Sequence, residues 1–209
     1  MSEETNGNVR IRRKIAYCTL FFLFVNVVLF ILEAVNCGST KISVETVLRF
    51  GGQYFDSICL DGQFYRLFTS TFLHISLKHI ICNMICLLLI GPDIEDYFGH
   101  INFTIIYLLS GITGNIAELV IELVRDQLNV IVAGASGSIS GLFGAVVILS
   151  MDPVTRKRYP WYRTALLLVP LLFPSKANLQ VAYAAHIGGA VGGFLIALLI
   201  IFIKSRKRT

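Results

Sequence analysis

Apolar runs that approach the length of a bilayer-crossing helix recur along this chain. It has 209 residues, of which 55% are hydrophobic and only 15% are charged, whereas a soluble domain carries roughly 25% charged residues. Lipid cannot hydrogen-bond a free backbone N–H or C=O group, so such runs must form helices or closed barrels. Because the runs show no alternation with a period of two, they predict an all-α, polytopic membrane protein.

Six membrane-spanning helices are predicted, and they divide the chain into three parts. These are a cytoplasmic N-terminal tail (1–14), a six-helix membrane domain (15–203) and a cytoplasmic C-terminal tail (204–209). The predicted spans are residues 15–35, 71–90, 101–123, 136–151, 161–173 and 181–203. The fourth and fifth are shorter than about 17 residues, the usual lower limit for a simple span, so they need support from neighbouring helices.

The basic residues predict how these spans are oriented. Four lie before the first span, four lie between the fourth span and the first turn of the fifth, and four follow the sixth: Arg10, Arg12, Arg13 and Lys14; Arg156, Lys157, Arg158 and Arg163; Lys204, Arg206, Lys207 and Arg208. With both termini in the cytoplasm, all twelve fall on the cytoplasmic side, as the positive-inside rule requires. The net charge of +5 is therefore a signal of topology. We expect the lipid bilayer of the cell membrane, and no nucleic acid, as the partner.

Histidine, asparagine and serine side chains occur near the outer ends of three predicted spans. If Gly91-Pro92 ends the second helix, the rise of about 1.5 Å per residue puts His79 about 11 Å below the outer edge of the hydrocarbon core. The same arithmetic puts Ser136 about 8 Å and His186 about 4 Å below it. Ionisable residues at membrane depth are costly and usually functional, so the sequence predicts one site in the outer half of the membrane.

The residue types at this depth are those of serine hydrolysis. A serine hydroxyl is a weak nucleophile until a neighbouring base takes its proton, and His186 is the natural base for Ser136. His79 and Asn83 are four residues apart and share a helix face, so both can donate to an oxyanion, together with the Ser136 backbone N–H. Because no acidic residue is close to His186 in sequence, a Ser–His pair is expected.

Other residues could orient the pair or replace the nucleophile. Glu118 and Glu122 on the third span are weakly supported as orienting groups for the histidine. Ser138 and Ser140 lack the glycine that precedes Ser136 by two residues, and they are interpreted as non-catalytic. The soluble-hydrolase pattern G-x-S-x-G is not matched, since Ser138 occupies the place of its last glycine.

Each feature also has a purely structural interpretation. Small residues are the usual material of close helix contacts in lipid, and the serine lies among Gly134, Ala135 and Gly137. The glycines after His186 likewise form a packing stripe. The coincidence of a serine, an asparagine and three histidines favours chemistry over packing.

The same residues resemble the motifs of the rhomboid intramembrane serine proteases. The family's G-x-S-G, H-x4-H-x3-N and A-H-x2-G-x3-G patterns are matched by Gly134-Ala135-Ser136-Gly137, by His74, His79 and Asn83, and by Ala185, His186, Gly189 and Gly193. Its Trp-Arg pair and its E-x3-G are matched by Tyr65-Arg66 and by Glu95 and Gly99. The resemblance extends from about Tyr65 to the end of the sixth span.

That resemblance implies an intramembrane serine endopeptidase with a six-helix core and no cofactor or metal. Ser136 would be the nucleophile, His186 the general base, and His79 and Asn83 the oxyanion donors. Transmembrane proteins would be the substrates, and the fifth span with residues 174–180 would be a mobile cover. Two departures are Tyr65, where the family has tryptophan, and Ser140, where many members have a tyrosine that stacks on the catalytic histidine.

Three alternatives are less favoured. A catalytically silent rhomboid-like protein that binds or escorts transmembrane clients usually loses the serine or the histidine, and both are present here. A small transporter more often shows repeated halves. A metal shared by His74 and His79 is disfavoured because residues five apart on a helix diverge by about 140°. Pairing of Cys37 with Cys59, and the oligomeric state, stay open.

Overall fold

The computed structural model describes residues 15–126, 128–151, 153, 155–158 and 183–206. Within them, four helices are long and apolar enough to cross a membrane: α1 (Tyr17–Cys37), α5 (Leu77–Phe98), α6 (His100–Arg125) and α9 (Tyr183–Arg206). A fifth apolar helix, α7 (Ser136–Met151), has 16 residues. The prediction of a helical, multi-pass membrane protein is therefore confirmed.

The number of spans is only partly supported. Four of the six predicted spans correspond to the long helices, and the short α7 matches the bounds predicted for the fourth. The predicted fifth span, residues 161–173, lies outside the described residues. A short helix α8 (Thr155–Arg158) follows α7.

The prediction that Gly91-Pro92 ends the second span is wrong. Helix α5 continues through Pro92 and ends at Phe98. A proline inside a helix removes one backbone hydrogen bond, but Ile94 and Phe98 beyond it are buried in the core. Their burial offsets that loss. The depth estimated for His79 therefore used a helix end that lies too early in the chain.

Short elements fill the loop between α1 and α5. They are α2 (Val44–Arg49), β1 (Gln53–Tyr54), α3 (Phe55–Cys59), α4 (Arg66–Thr69) and a 3-10 turn (Ser70–Phe72). Strand β1 pairs antiparallel with β2 (Ile131–Val132), and Gln53 faces Val132. This ladder ties the loop to the segment that leads into α7.

Arg66 holds this loop together from within. Its guanidinium donates to the carbonyls of Leu48 and Gly52, each at 2.8 Å, and to Oε1 of Gln63 at 2.7 Å. One side chain thus satisfies three acceptors on separate stretches of the loop. The predicted supporting role of Arg66 is therefore one in loop architecture.

Glu95 supplies the cap that α1 lacks. The first N–H groups of a helix have no intrahelical acceptor, and Ala16 before α1 offers no side-chain acceptor. The buried carboxylate of Glu95 instead accepts from the N–H groups of Cys18 and Thr19, both at 2.8 Å, and from the Thr19 hydroxyl at 2.7 Å. A side chain near the end of α5 thereby fixes the start of α1.

Helices α7 and α9 pack backbone against backbone. A Cβ atom added at Gly189 would clash with the carbonyl of Gly137, and one added at Gly193 would clash with the backbone of Gly141. Any larger residue would push the two helices apart. The predicted glycine stripe is thus a helix contact.

We expect Gly189→Val to separate α9 from α7 and to destabilise the fold, because overpacking a close contact costs about 1–3 kcal/mol. Thermal unfolding in detergent micelles would measure the effect. The matched control is Val191→Leu on the same helix, since Val191 is exposed on the outer surface of the bundle. An unfolding temperature for Gly189→Val equal to that of this control would contradict the close-contact interpretation.

Candidate active site

Ser136 and His186 meet at one end of the bundle. Ser136 is the first residue of α7, and His186 lies in the first turn of α9. Nε2 of His186 is 2.9 Å from Oγ of Ser136, which is hydrogen-bonding distance. The histidine is buried, whereas the serine is half-buried. The two residues are fifty positions apart in sequence, and the glycine contact between their helices brings them together.

Glu118 anchors the helix that carries His186. Its carboxylate, on α6, accepts a hydrogen bond from the N–H of Ala185 at 2.9 Å. This N–H belongs to the first turn of α9, where no intrahelical acceptor exists. Glu118 therefore acts on the backbone next to His186 and not on the imidazole, whose Nδ1 has no partner among the described residues. Glu118, which the sequence supported only weakly as an orienting group for the histidine, thus bonds the backbone beside His186 and not its ring.

Glu122, the second predicted orienting group, does not bond the histidine either. It is buried one turn further along α6, and neither carboxylate oxygen has a hydrogen-bond partner within the described residues.

Asn83 and His79 flank the serine from α5. Ser76 caps this helix by accepting from the N–H of His79 at 3.3 Å, so the histidine lies in the first turn. A Cβ added at Gly134 would lie 2.7 Å from Cε1 of His79 and 3.6 Å from Oγ of Ser136. Asn83 lies one turn further along, and its buried Nδ2 has no partner in the described part of the chain.

Gly134 allows this close approach. Its φ of +145° is a backbone conformation that side-chain-bearing residues rarely adopt, and its N–H donates to the carbonyl of Ser70 at 2.9 Å. The loop before α7 is thereby held against the His79 ring. Gly137, by contrast, lies in α7 facing α9.

His74 lies before α5 and not on it, which corrects the prediction that His74 and His79 diverge on one helix. Their ring centroids are 5.1 Å apart, in an edge-to-face arrangement. Burial and the neighbouring His79 lower the pKa of His74 well below its ordinary value, which favours the neutral form of the ring. The His74 ring thus packs against the His79 ring.

Glu33 is a residue of this region that sequence reasoning missed. This fully buried acidic residue of α1 accepts from the backbone N–H of His74 at 3.1 Å. The sequence does contain a signal for Glu33, namely a carboxylate inside an otherwise apolar span. Ionisable residues at membrane depth are costly and usually functional.

Several predicted residues lie away from Ser136, and two nearby serines have no histidine partner among the described residues. Arg66 is in the loop, and Glu95 is at the opposite end of α5 from His79. Ser138 and Ser140 are buried, and their hydroxyls have no hydrogen-bond partner among the described residues. In the described part of the chain, Ser136 alone among these serines is bonded to a histidine.

The described residues around this site match a known family. The rhomboid domain profile matches residues 61–202, which include every side chain of the site except Glu33. The chain belongs to the rhomboid family. The prediction made from the motifs is thereby confirmed.

Relatives in this family include one named as a protease, one named as a putative protease and one named as inactive. The chain is 32% identical over 185 residues to rhomboid protease GluP of Bacillus subtilis (strain 168), covering 86% of this chain and 34% of GluP. It is 32% identical over 150 residues to YdcA of the same strain, covering 70% and 72%. It is 31% identical over 137 residues to inactive rhomboid protein 1 of Danio rerio, covering 65% and 15%. The chain thus spans about a third of the length of GluP.

We expect removal of the Glu118 carboxylate to weaken the start of α9. Glu118→Ala leaves the buried Ala185 N–H without an acceptor, which costs about 1–3 kcal/mol, whereas Glu118→Gln keeps an acceptor oxygen and should lose less. Thermal unfolding of both variants beside the wild type would test this order. Equal loss in the two variants would contradict the hydrogen-bonding role and leave only the charge.

Proposed function

We propose that this protein is an intramembrane serine endopeptidase that cleaves transmembrane proteins with a Ser136–His186 dyad. The observation that carries the proposal is the 2.9 Å contact between Ser136 Oγ and His186 Nε2. It lies in a bundle whose helices are apolar enough to cross a membrane. Family membership supports the same reaction, since GluP is named as a protease.

The dyad would work through a covalent acyl-enzyme. His186 Nε2 takes the proton of the Ser136 hydroxyl as Oγ bonds to the carbonyl carbon of the substrate. When the C–N bond breaks, His186 gives this proton to the leaving amine. Water, deprotonated by His186, then cleaves the ester and restores the Ser136 hydroxyl. The proton transfer between Ser136 and His186 uses two groups that already lie within hydrogen-bonding distance.

Oxyanion stabilisation would come from three donors around the serine. Nδ2 of Asn83 is buried and without a partner among the described residues, which is costly unless a ligand fills the gap. His79 packs against Gly134 beside the Ser136 hydroxyl. The Ser136 N–H opens α7 and therefore has no acceptor within that helix. These donors would aim at the charge that forms in the transition state.

The distribution of charges supports a proposed orientation. The basic clusters favour a cell-membrane protein with both termini in the cytoplasm, and in that orientation Ser136 would open towards the outer leaflet. Substrates are proposed to be membrane proteins whose helices present small residues and unwind easily near this leaflet. No cofactor or metal takes part in the proposed chemistry.

Cleavage of a transmembrane reporter by the purified chain in detergent micelles would test this proposal. We expect Ser136→Ala and His186→Ala each to lower turnover by at least about 10⁴-fold, as loss of a nucleophile or base does in other serine proteases. Ser138→Ala is the matched control and should cleave normally, because Ser138 is a buried serine of the same helix without a histidine partner. Cleavage by Ser136→Ala would contradict the assignment of the nucleophile.

A client-binding protein without activity is the second candidate, because an inactive rhomboid protein is among the relatives. Wild-type protein that retains the uncut reporter in co-purification, at the level of Ser136→Ala, would favour this candidate. Cut reporter in the wild-type sample and intact reporter with Ser136→Ala would exclude it.

Asn83→Ala should lower turnover by about 10²–10³-fold with little change in KM, because an oxyanion donor acts in the transition state. Reporter kinetics would measure both constants. Cys82→Ala, the exposed neighbour on α5, is the control and should behave as the wild type. Near-normal turnover of Asn83→Ala would remove Asn83 from the oxyanion hole.

A further inference from the structure

A cluster of potential metal ligands lies far from the serine, where three helix ends meet. Cys18 is in the first turn of α1, Glu95 is in the last turn of α5, and His100 begins α6. One ligand atom from each residue (a thiol sulfur, a carboxylate oxygen and an imidazole nitrogen) lies within 4.8 Å of the other two. The helical rise puts this cluster about 24 Å from His79 along α5, so it is separate from the proposed catalytic site.

The three side chains differ in their exposure to solvent. The Glu95 side chain is 1% exposed, whereas that of His100 is 48% exposed, and Cys18 is half-buried between them in accessibility. A buried carboxylate beside a half-exposed imidazole gives an ion both a fixed ligand and access from solvent. The remaining described cysteines, Cys37, Cys59, Cys82 and Cys86, belong to no such cluster.

The hydrogen bonds of Glu95 leave its Oε1 atom able to bind a metal ion. Its Oε2 is held by the Thr19 N–H and hydroxyl. Its Oε1 accepts a single backbone N–H, that of Cys18, and otherwise meets Nδ1 of His100 at 2.5 Å. Such bonds to a carboxylate orient it for a metal, as outer-shell partners do in known sites.

We propose that Cys18, Glu95 and His100 bind a divalent transition-metal ion of the zinc class. Sulfur, nitrogen and oxygen ligands in one set are typical of zinc, with bonds of about 2.0–2.3 Å, and a thiolate disfavours magnesium and calcium. Binding would release the thiol proton of Cys18, because the thiolate is the ligand. His100 would exchange its contact with Oε1 for a bond from the Nδ1 lone pair to the metal. Water would fill the fourth position.

Only small movements are needed to assemble this site. Ligand atoms around a tetrahedral zinc ion lie roughly 3.5 Å apart. A separation at the 4.8 Å limit would therefore contract by about 1 Å, and the 2.5 Å contact between His100 and Glu95 would widen by about 1 Å. Rotation of the half-exposed His100 ring and of the Cys18 side chain would supply these changes, while the hydrogen bonds hold Glu95 in place. The bound ion would clamp the start of α1 to the turn between α5 and α6.

Titration of the untagged, metal-free full-length chain with Co²⁺ in detergent micelles would test the proposal. We expect one equivalent to bind with the ultraviolet charge-transfer band of a thiolate–cobalt bond, and Zn²⁺ to displace it. Cys18→Ser should abolish the band, and His100→Ala should weaken binding by at least about tenfold. The matched control is Cys82→Ser, an exposed cysteine of α5, which should bind as the wild type does.

Two further measurements make the outcome decisive. Thermal unfolding of each metal-free variant shows whether it is folded, and Zn²⁺ should raise the unfolding temperature of the wild type and of Cys82→Ser but not of Cys18→Ser. Absence of the thiolate band in the wild type would overturn the proposal, as would equal binding by Cys18→Ser and the wild type. In that case Glu95 caps α1 and hydrogen-bonds to His100 without binding a metal. Reporter cleavage does not enter this test, so its result is independent of the proposed protease function.

Discussion

The direct contact between the backbones of α7 and α9 is the interaction on which the site depends. Gly189 meets the carbonyl of Gly137, and no side chain fits between the helices at this point. In lipid there is no hydrophobic force to drive two apolar helices together, so close van der Waals packing of small residues must do so. That packing brings His186 within 2.9 Å of Ser136. The contact between Ser136 and His186 thus depends on the missing side chains of Gly137 and Gly189.

Buried carboxylates solve a second problem that the membrane creates. The first N–H groups of a helix need acceptors, and lipid offers none. Glu95 on α5 accepts from the start of α1, and Glu118 on α6 accepts from the start of α9. Each acidic residue costs free energy to bury but satisfies donors that would otherwise be orphaned. These two acidic residues therefore satisfy the first N–H groups of neighbouring helices, and Glu118 supports the backbone next to His186.

The motif residues could be predicted from the sequence, whereas several of their neighbours could not. Ser136, His186, His79 and Asn83 were found because polar groups stand out in apolar spans. Helix ends were harder, since Pro92 lies within α5 only because the residues beyond it are buried in the tertiary core. The partner of Glu118 could not be predicted either. Its acceptor oxygen meets a backbone N–H that lies sixty-seven positions away, and any backbone N–H looks the same in a sequence.

From the sequence alone follow the membrane environment, the helical class and the residue types of the candidate site. Apolar runs without period-two alternation leave only helices in lipid, and the spacing of the motifs identifies the family. Only the tertiary structure decided which histidine nitrogen meets which hydroxyl, which carboxylate caps which helix, and that His74 packs against His79 from outside α5. The difference lies in the sequence separation of the interacting residues. Composition and periodicity describe neighbouring residues, whereas these hydrogen bonds and backbone contacts form between segments that are far apart in sequence.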